Sequence, residues 1–180
     1  MALLARTLNA VALLAICILL LVAFYWQLAR HELPCPLCLL QRAALIGAGL
    51  GLMLNVRFGA SESHYGVAII SALAGAAFAA RQILLHIVPG AGGYGAVLYG
   101  YHFYTWALVI FFLIALFSAA LLLIEAQFVE GVRDWRPTTA AQILGWLFVA
   151  LALANAVSTL LLCGFGPCPD NPTGYELLQR

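Results

Sequence analysis

The fold class this sequence predicts is an all-α integral membrane protein, a bundle of about five transmembrane helices forming one membrane domain over residues 1–180. Three observations carry that expectation. Of 180 residues, 65% are hydrophobic and 8% charged, a composition foreign to soluble globules. The apolar residues gather in runs of about 20, the length that crosses a bilayer core. These runs are Leu- and Ala-rich and lack period-2 alternation, which argues against strands. Lysine is absent and the formal net charge is +1, so there is no basic patch for nucleic acid and little charge to solvate a separate soluble domain.

The first run, near 8–28, lies between Arg6 and Arg30 and ends on Phe24, Tyr25 and Trp26, aromatics suited to a membrane interface. It outlasts the apolar core of a signal peptide, about 7 to 15 residues, and reads as a retained helix. Cys17 inside it reads as a buried packing cysteine. The second run, near 39–56, opens with Gln41 and Arg42, and the third, near 65–86, carries Arg81 and Gln82 before ending at His86. The fourth, near 104–124, and the fifth, near 140–162, contain no charge. Gly- and Pro-bearing turns connect them, and 163–180 forms a cysteine-containing tail.

With the N-terminus inside, Arg6, Arg57, Arg133 and Arg136 face the cytoplasm, against Arg30 and Arg180 outside. That bias leans toward this orientation. Whichever way the chain inserts, four crossings separate Cys38 from Cys163, an even number. Both cysteine groups therefore emerge at the same membrane face, expected to be the extracytoplasmic one.

Apart from Cys17, the cysteines form two close pairs, Cys35/Cys38 and Cys163/Cys168. The sequence Cys35-Pro-Leu-Cys38 immediately precedes the second run, which places Cys38 on a first helical turn. There the helix dipole and free N–H groups favour a thiolate, the form that carries out disulfide exchange. Arg42 lies one turn further along the same face and can support that thiolate or donate hydrogen bonds to an oxygen-bearing ligand. Intramembrane arginine is costly enough to suggest function, although snorkelling to the interface is the plainer alternative. Gln41 either joins such a site or satisfies a loop carbonyl. Gly164, Gly166 and Pro167 allow the tight ring that a Cys163–Cys168 disulfide needs. That ring reads either as a redox pair or as a structural staple.

The stretch CPLCLLQRAAL resembles the disulfide bond formation protein B (DsbB) family, membrane thiol oxidases coupled to quinone. RQILLHIVPG, leading into YHFYTW, is similar to the same family, so the resemblance extends over roughly four helices, with the fifth an addition. It implies a quinone-dependent oxidoreductase of the bacterial inner membrane that reoxidises a periplasmic DsbA-like thiol oxidase and passes electrons to ubiquinone or menaquinone. It further implies that Cys38 engages the quinone, that Cys35 is its disulfide partner, that Arg42 binds a quinone carbonyl and that His86 borders the pocket. Gln41 and Arg81 are additional candidates for the cofactor site.

One departure from the family pattern stands out. The second cysteine pair is expected in the loop between helices three and four, yet VPGAGGYGAVLYGYH contains none, and Cys163 and Cys168 follow the fifth helix instead. The expectation is a relocated relay on a flexible tail. Two rival readings require different chemistry. Four cysteines, with His31, His86 or His102, form a tolerable zinc ligand set, which needs reduced thiols. A transporter or assembly subunit needs a polar pathway, which the nearly charge-free runs do not offer.

Overall fold

A computed structural model describes residues 2–88, 90, 92–129 and 137–179. Arg133, Arg136, Glu130 and Arg180 lie outside the described residues. The long helices are α1 (Ala2–Ala29), α2 (Pro36–Phe58), α3 (Glu62–His86), α4 (Phe103–Leu122) and, beyond the single-turn α5 (Ala126–Val129), α6 (Thr139–Cys163). These five are long and apolar enough to cross a membrane, and the protein is a multi-pass membrane protein.

Helices α2, α3 and α4 pack in sequence, and α6 lies against α1 and α2. Small residues decide these approaches, because lipid is as apolar as leucine and only close packing favours helix association. A Cβ added at Gly51 would meet the backbone of His64 and Ala68 in α3, and one added at Gly49 would enter the ring of Phe148 in α6. Phe148 thus docks α6 into a notch on α2. Around it Leu13, Ile16, Cys17, Leu20, Ala48, Leu52, Ala68 and Leu151 form the main apolar core. The lateral surface is apolar as well, with Ile70, Phe112 and Trp146 exposed, as a helix bundle in lipid requires.

Gly49→Val is expected to lower the thermal stability of the detergent-solubilised protein by about 1–3 kcal/mol, since a branched side chain must expel the Phe148 ring. Gly145→Ala on α6, where an added Cβ meets nothing within 4 Å, is the control and should be neutral or stabilising.

Polar side chains are buried at both ends of the bundle. Away from the cysteines, Asn9 donates to the Tyr65 hydroxyl at 2.7 Å, Asn55 donates to Asn9 Oδ1 at 3.0 Å, and Tyr65 donates to Gln127 Oε1 at 2.9 Å. This chain of bonds ties α1, α2 and α3 to α5. The loop between α3 and α4 contains a hairpin that the sequence reading missed: β1 (Val97–Leu98) pairs antiparallel with β2 (Tyr101–His102). Its two turn residues, Tyr99 and Gly100, both have positive φ, 51° and 84°. That is the backbone of the tight turns favoured in hairpins.

Candidate active site

The site begins with the way α2 starts. Cys35 is the N-cap, with extended φ −69° and ψ 164°, and Pro36 occupies the first helical turn, where a missing N–H costs nothing. The Cys35 sulfur accepts a hydrogen bond from the Cys38 backbone N–H at 3.2 Å. Cys35 and Cys38 are joined as a disulfide with Cα atoms 5.0 Å apart. The pair therefore lies across the positive end of a 23-residue helix.

A buried amide from α3 reaches this disulfide. Gln82 is 1% exposed, and its Nε2 lies 3.3 Å from the Cys35 sulfur and 3.6 Å from that of Cys38. Its carbonyl accepts from Gln41 Nε2 at 2.7 Å, which fixes the N–H end toward sulfur. A disulfide is a weak acceptor and a thiolate a strong, charged one, so this contact strengthens when the pair is reduced.

Arg42 turns into the bundle. Its Nη1 donates to Gln27 Oε1 at 2.6 Å and its Nη2 to the Ala23 carbonyl at 3.0 Å, both on α1, and the guanidinium carbon lies 5.8 Å from the centre of the Phe24 ring. Both acceptors are neutral, so they orient the cation and leave its charge available to a ligand.

Cys38, Gln41, Arg42 and Gln82 open on one cavity of about 440 Å³, within the range of small-molecule sites. Trp26, Phe103, Tyr104 and Phe111 supply aromatic walls, and Tyr94, Gly95 and Leu98 of the α3–α4 loop help to close it. That loop is fastened to the segment preceding Cys35. The Tyr94 hydroxyl donates to the Leu33 carbonyl at 2.7 Å, and Glu32 Oε2 accepts from the Ala96 N–H at 3.2 Å. Burial, and then the negative charge of Glu32, push the Tyr94 phenol above its ordinary range and keep it the donor. Cys38 lines the cavity and Cys35, 6% exposed, does not.

The second pair sits beside the first. Cys163 ends α6 and is disulfide-bonded to Cys168, with Cα atoms 4.4 Å apart. Cys163 and Leu162 pack against Leu39, flanked by Leu33, Cys168 and Tyr175. Residues on both sides of the Cys35–Cys38 motif thus touch the neighbourhood of the tail disulfide. The tail is also less free than its composition suggests. Glu176 N–H and Leu177 N–H donate to the carbonyls of Leu162 and Leu161 at 3.4 and 3.1 Å. The chain folds back because the last carbonyls of α6 lack partners within the helix.

Two candidates lie outside the cavity lining. Arg81 is exposed on the outer surface of α3, as it must be when its neighbour Gln82 points inward, since adjacent helical residues are about 100° apart. His86 donates from its Nδ1–H to the Gln82 carbonyl at 2.8 Å and stacks on Tyr104 with ring centres 5.5 Å apart. His102 stacks on the same tyrosine at 5.1 Å, and Tyr104 lines the cavity whereas neither histidine does. Gln82 and Gln27 carry the contacts that the sequence reading left unassigned. Among the described residues no group of three or more His, Cys, Asp or Glu side chains converges, and both cysteine pairs are disulfides.

The model of the family "Disulfide bond formation protein DsbB" matches residues 5–93, which include the Cys35–Cys38 motif, Arg42 and Gln82. Through this match residues 5–93, about half of the chain, are of the DsbB family. Among relatives, the disulfide bond formation protein B of Stutzerimonas stutzeri is 35% identical over 88 residues, 47% of this chain and 54% of that protein. That of Hahella chejuensis is 35% identical over 88 residues, 47% and 53% of the respective chains, and that of Marinobacter nauticus 43% over 75 residues, 39% and 45%. The chain thus spans about half the length of these curated DsbB relatives. No solved structure matches it. The family match ends before α4, short of the four helices over which the resemblance was expected, and leaves Cys163 and Cys168 outside it.

Proposed function

We propose that this protein is a thiol:quinone oxidoreductase of the bacterial inner membrane, which reoxidises a periplasmic DsbA-like dithiol oxidase and passes the electrons to ubiquinone or menaquinone. The observation that carries the reading is a disulfide-bonded C-x-x-C at a helix N-terminus, with Cys38 opening on a largely apolar cavity that also contains one inward-facing arginine.

The residues present fit a quinone ring. Aromatic walls match its faces, and Arg42 and Gln41 supply donors for its oxygens in a cavity of about 440 Å³. When bound, a quinone supplies a two-electron, two-proton acceptor, which balances oxidation of two thiols to one disulfide. The chain's own residues do the rest. Cys38 presents its sulfur to the cavity, and the α2 N-terminus and the Gln82 amide favour its anionic form. Arg42, held by Gln27 and Ala23, stabilises negative charge developing on a ligand oxygen in a site shielded from water. Cys35 completes the pair. Cys163 and Cys168 receive electrons from the soluble partner and hand them to Cys35 by thiol–disulfide exchange, two electrons and two protons moving for each disulfide reduced. An extracytoplasmic face suits both disulfides.

Arg42→Ala tests this assignment. Loss of a charge-assisted hydrogen bond, about 1.5–3 kcal/mol, should raise the apparent quinone KM tenfold or more. Arg81→Ala, on the outer surface of α3, should leave it unchanged. Equal KM values for wild type and Arg42→Ala would reduce Arg42 to a structural cation.

A further inference from the structure

The segment carrying the second disulfide is wired to the cavity through one buried amide. Gln27, 2% exposed, accepts from Arg42 through its carbonyl, and its amide nitrogen donates to Ser158 Oγ of α6 at 2.7 Å and to the Tyr175 hydroxyl at 3.0 Å. A primary amide has two N–H donors and here both are used. The group has a single satisfied orientation, because turning it over would set its N–H against the guanidinium, which has donors and no acceptor. Tyr175 belongs to the folded-back tail. It packs beside Leu162, Cys163 and Leu39, and the next two residues hydrogen-bond to the end of α6.

We infer that Gln27 is a positioning residue that couples docking of the cysteine-bearing tail, through Tyr175, to the orientation of Arg42 in the cavity. When the tail is docked, the Tyr175 hydroxyl holds the amide so that its carbonyl faces Arg42. When the tail lifts, the Tyr175 acceptor is lost and Ser158 of α6 alone holds the amide nitrogen. Coupling of this kind is reciprocal: a ligand that draws on Arg42 stabilises the docked tail, and an undocked tail weakens the hold on that ligand. The inference deepens the proposed function and rests on it for the nature of the cavity ligand.

Tyr175→Phe is the informative variant, since it keeps the ring in its apolar cluster and removes only the hydroxyl. With full-length protein in detergent, a small dithiol as reductant and a short-chain ubiquinone analogue as acceptor, Tyr175→Phe should raise the apparent quinone KM about two- to tenfold, the equivalent of one neutral hydrogen bond, with kcat unchanged. In a Gln27→Met background the same change should have no further effect, and Gln27→Leu replaces that background if the Met variant does not fold. A second readout needs no quinone: the ¹⁵N–¹H resonances of the Arg42 guanidinium should shift on Tyr175→Phe when Gln27 is present and stay in place when it is not. If wild type reduces no quinone, the functional reading falls and the resonances still decide the coupling. A Tyr175→Phe response that is absent, or that is the same with and without Gln27, overturns the inference.

Discussion

Cys38→Ser is expected to abolish quinone-dependent thiol oxidation, a loss on the order of a thousandfold or more, as when an essential nucleophile is removed. The serine hydroxyl has the size of the thiol but neither ionises near neutral pH nor forms a disulfide. The geometry makes the expectation specific to this residue. Of the two sulfurs in the motif, that of Cys38 faces the cavity it shares with Arg42, whereas Cys35 is enclosed behind it. Cys35→Ser should also stop turnover, because no disulfide can close, but should leave a single thiol at position 38 open to an apolar maleimide that enters the cavity. Turnover measured as quinone absorbance, with alkylation followed by mass, separates the two roles. Full activity in Cys38→Ser would remove it from the reaction.

The second large effect concerns the tail. Cys163→Ala and Cys168→Ala should each reduce oxidation of a thioredoxin-like dithiol protein at least a hundredfold, on the order expected when one member of an exchange relay is missing. A small dithiol that reaches Cys35 directly should continue to reduce quinone. The relay needs no long swing, since Leu39 and Leu33, which flank the Cys35–Cys38 motif, pack in the cluster that contains Cys163 and Cys168. Trapping a mixed disulfide between Cys35 and a tail cysteine would support the path. Undiminished oxidation of the protein substrate in both variants would make the pair a staple for the end of α6.

The helices were legible because the bilayer imposes a length and composition that few other structures share, and the five long helices differ from the expected spans mainly at their ends. Helix α2, for instance, starts at Pro36 rather than near 39, because a proline in the first turn needs no hydrogen-bond partner. Parity placed the two cysteine pairs at one face, and their adjacency follows from it together with the docking of Phe148 into the Gly49 notch, which only three-dimensional packing reveals. The side chains that surround the disulfide were less visible. Gln82 sat next to a more conspicuous charge, Arg81, although a residue beside it on a helix must face elsewhere, and the i, i+4 spacing to His86 was the available clue. Gln27 near the end of α1 gave no signal by itself, since its partners lie 15, 131 and 148 residues away. The hairpin was hidden by loop composition, and the docking of the tail by a Gly- and Pro-rich sequence whose order comes from the unpaired carbonyls of α6.

The central claim, that electrons from thiols leave through the Cys35–Cys38 pair to a quinone, is tested most directly by a stoichiometric reaction. Purified protein, with both disulfides intact, is mixed with a reduced dithiol and either a short-chain ubiquinone analogue or menadione under anaerobic conditions, and quinone absorbance and free thiols are followed together. The account predicts that one quinone is reduced for each dithiol oxidised, over many turnovers, and that the reaction is lost in Cys38→Ser. Dithiol that reduces the protein's disulfides once and then stops, with either quinone unchanged beyond its rate without protein, would contradict it.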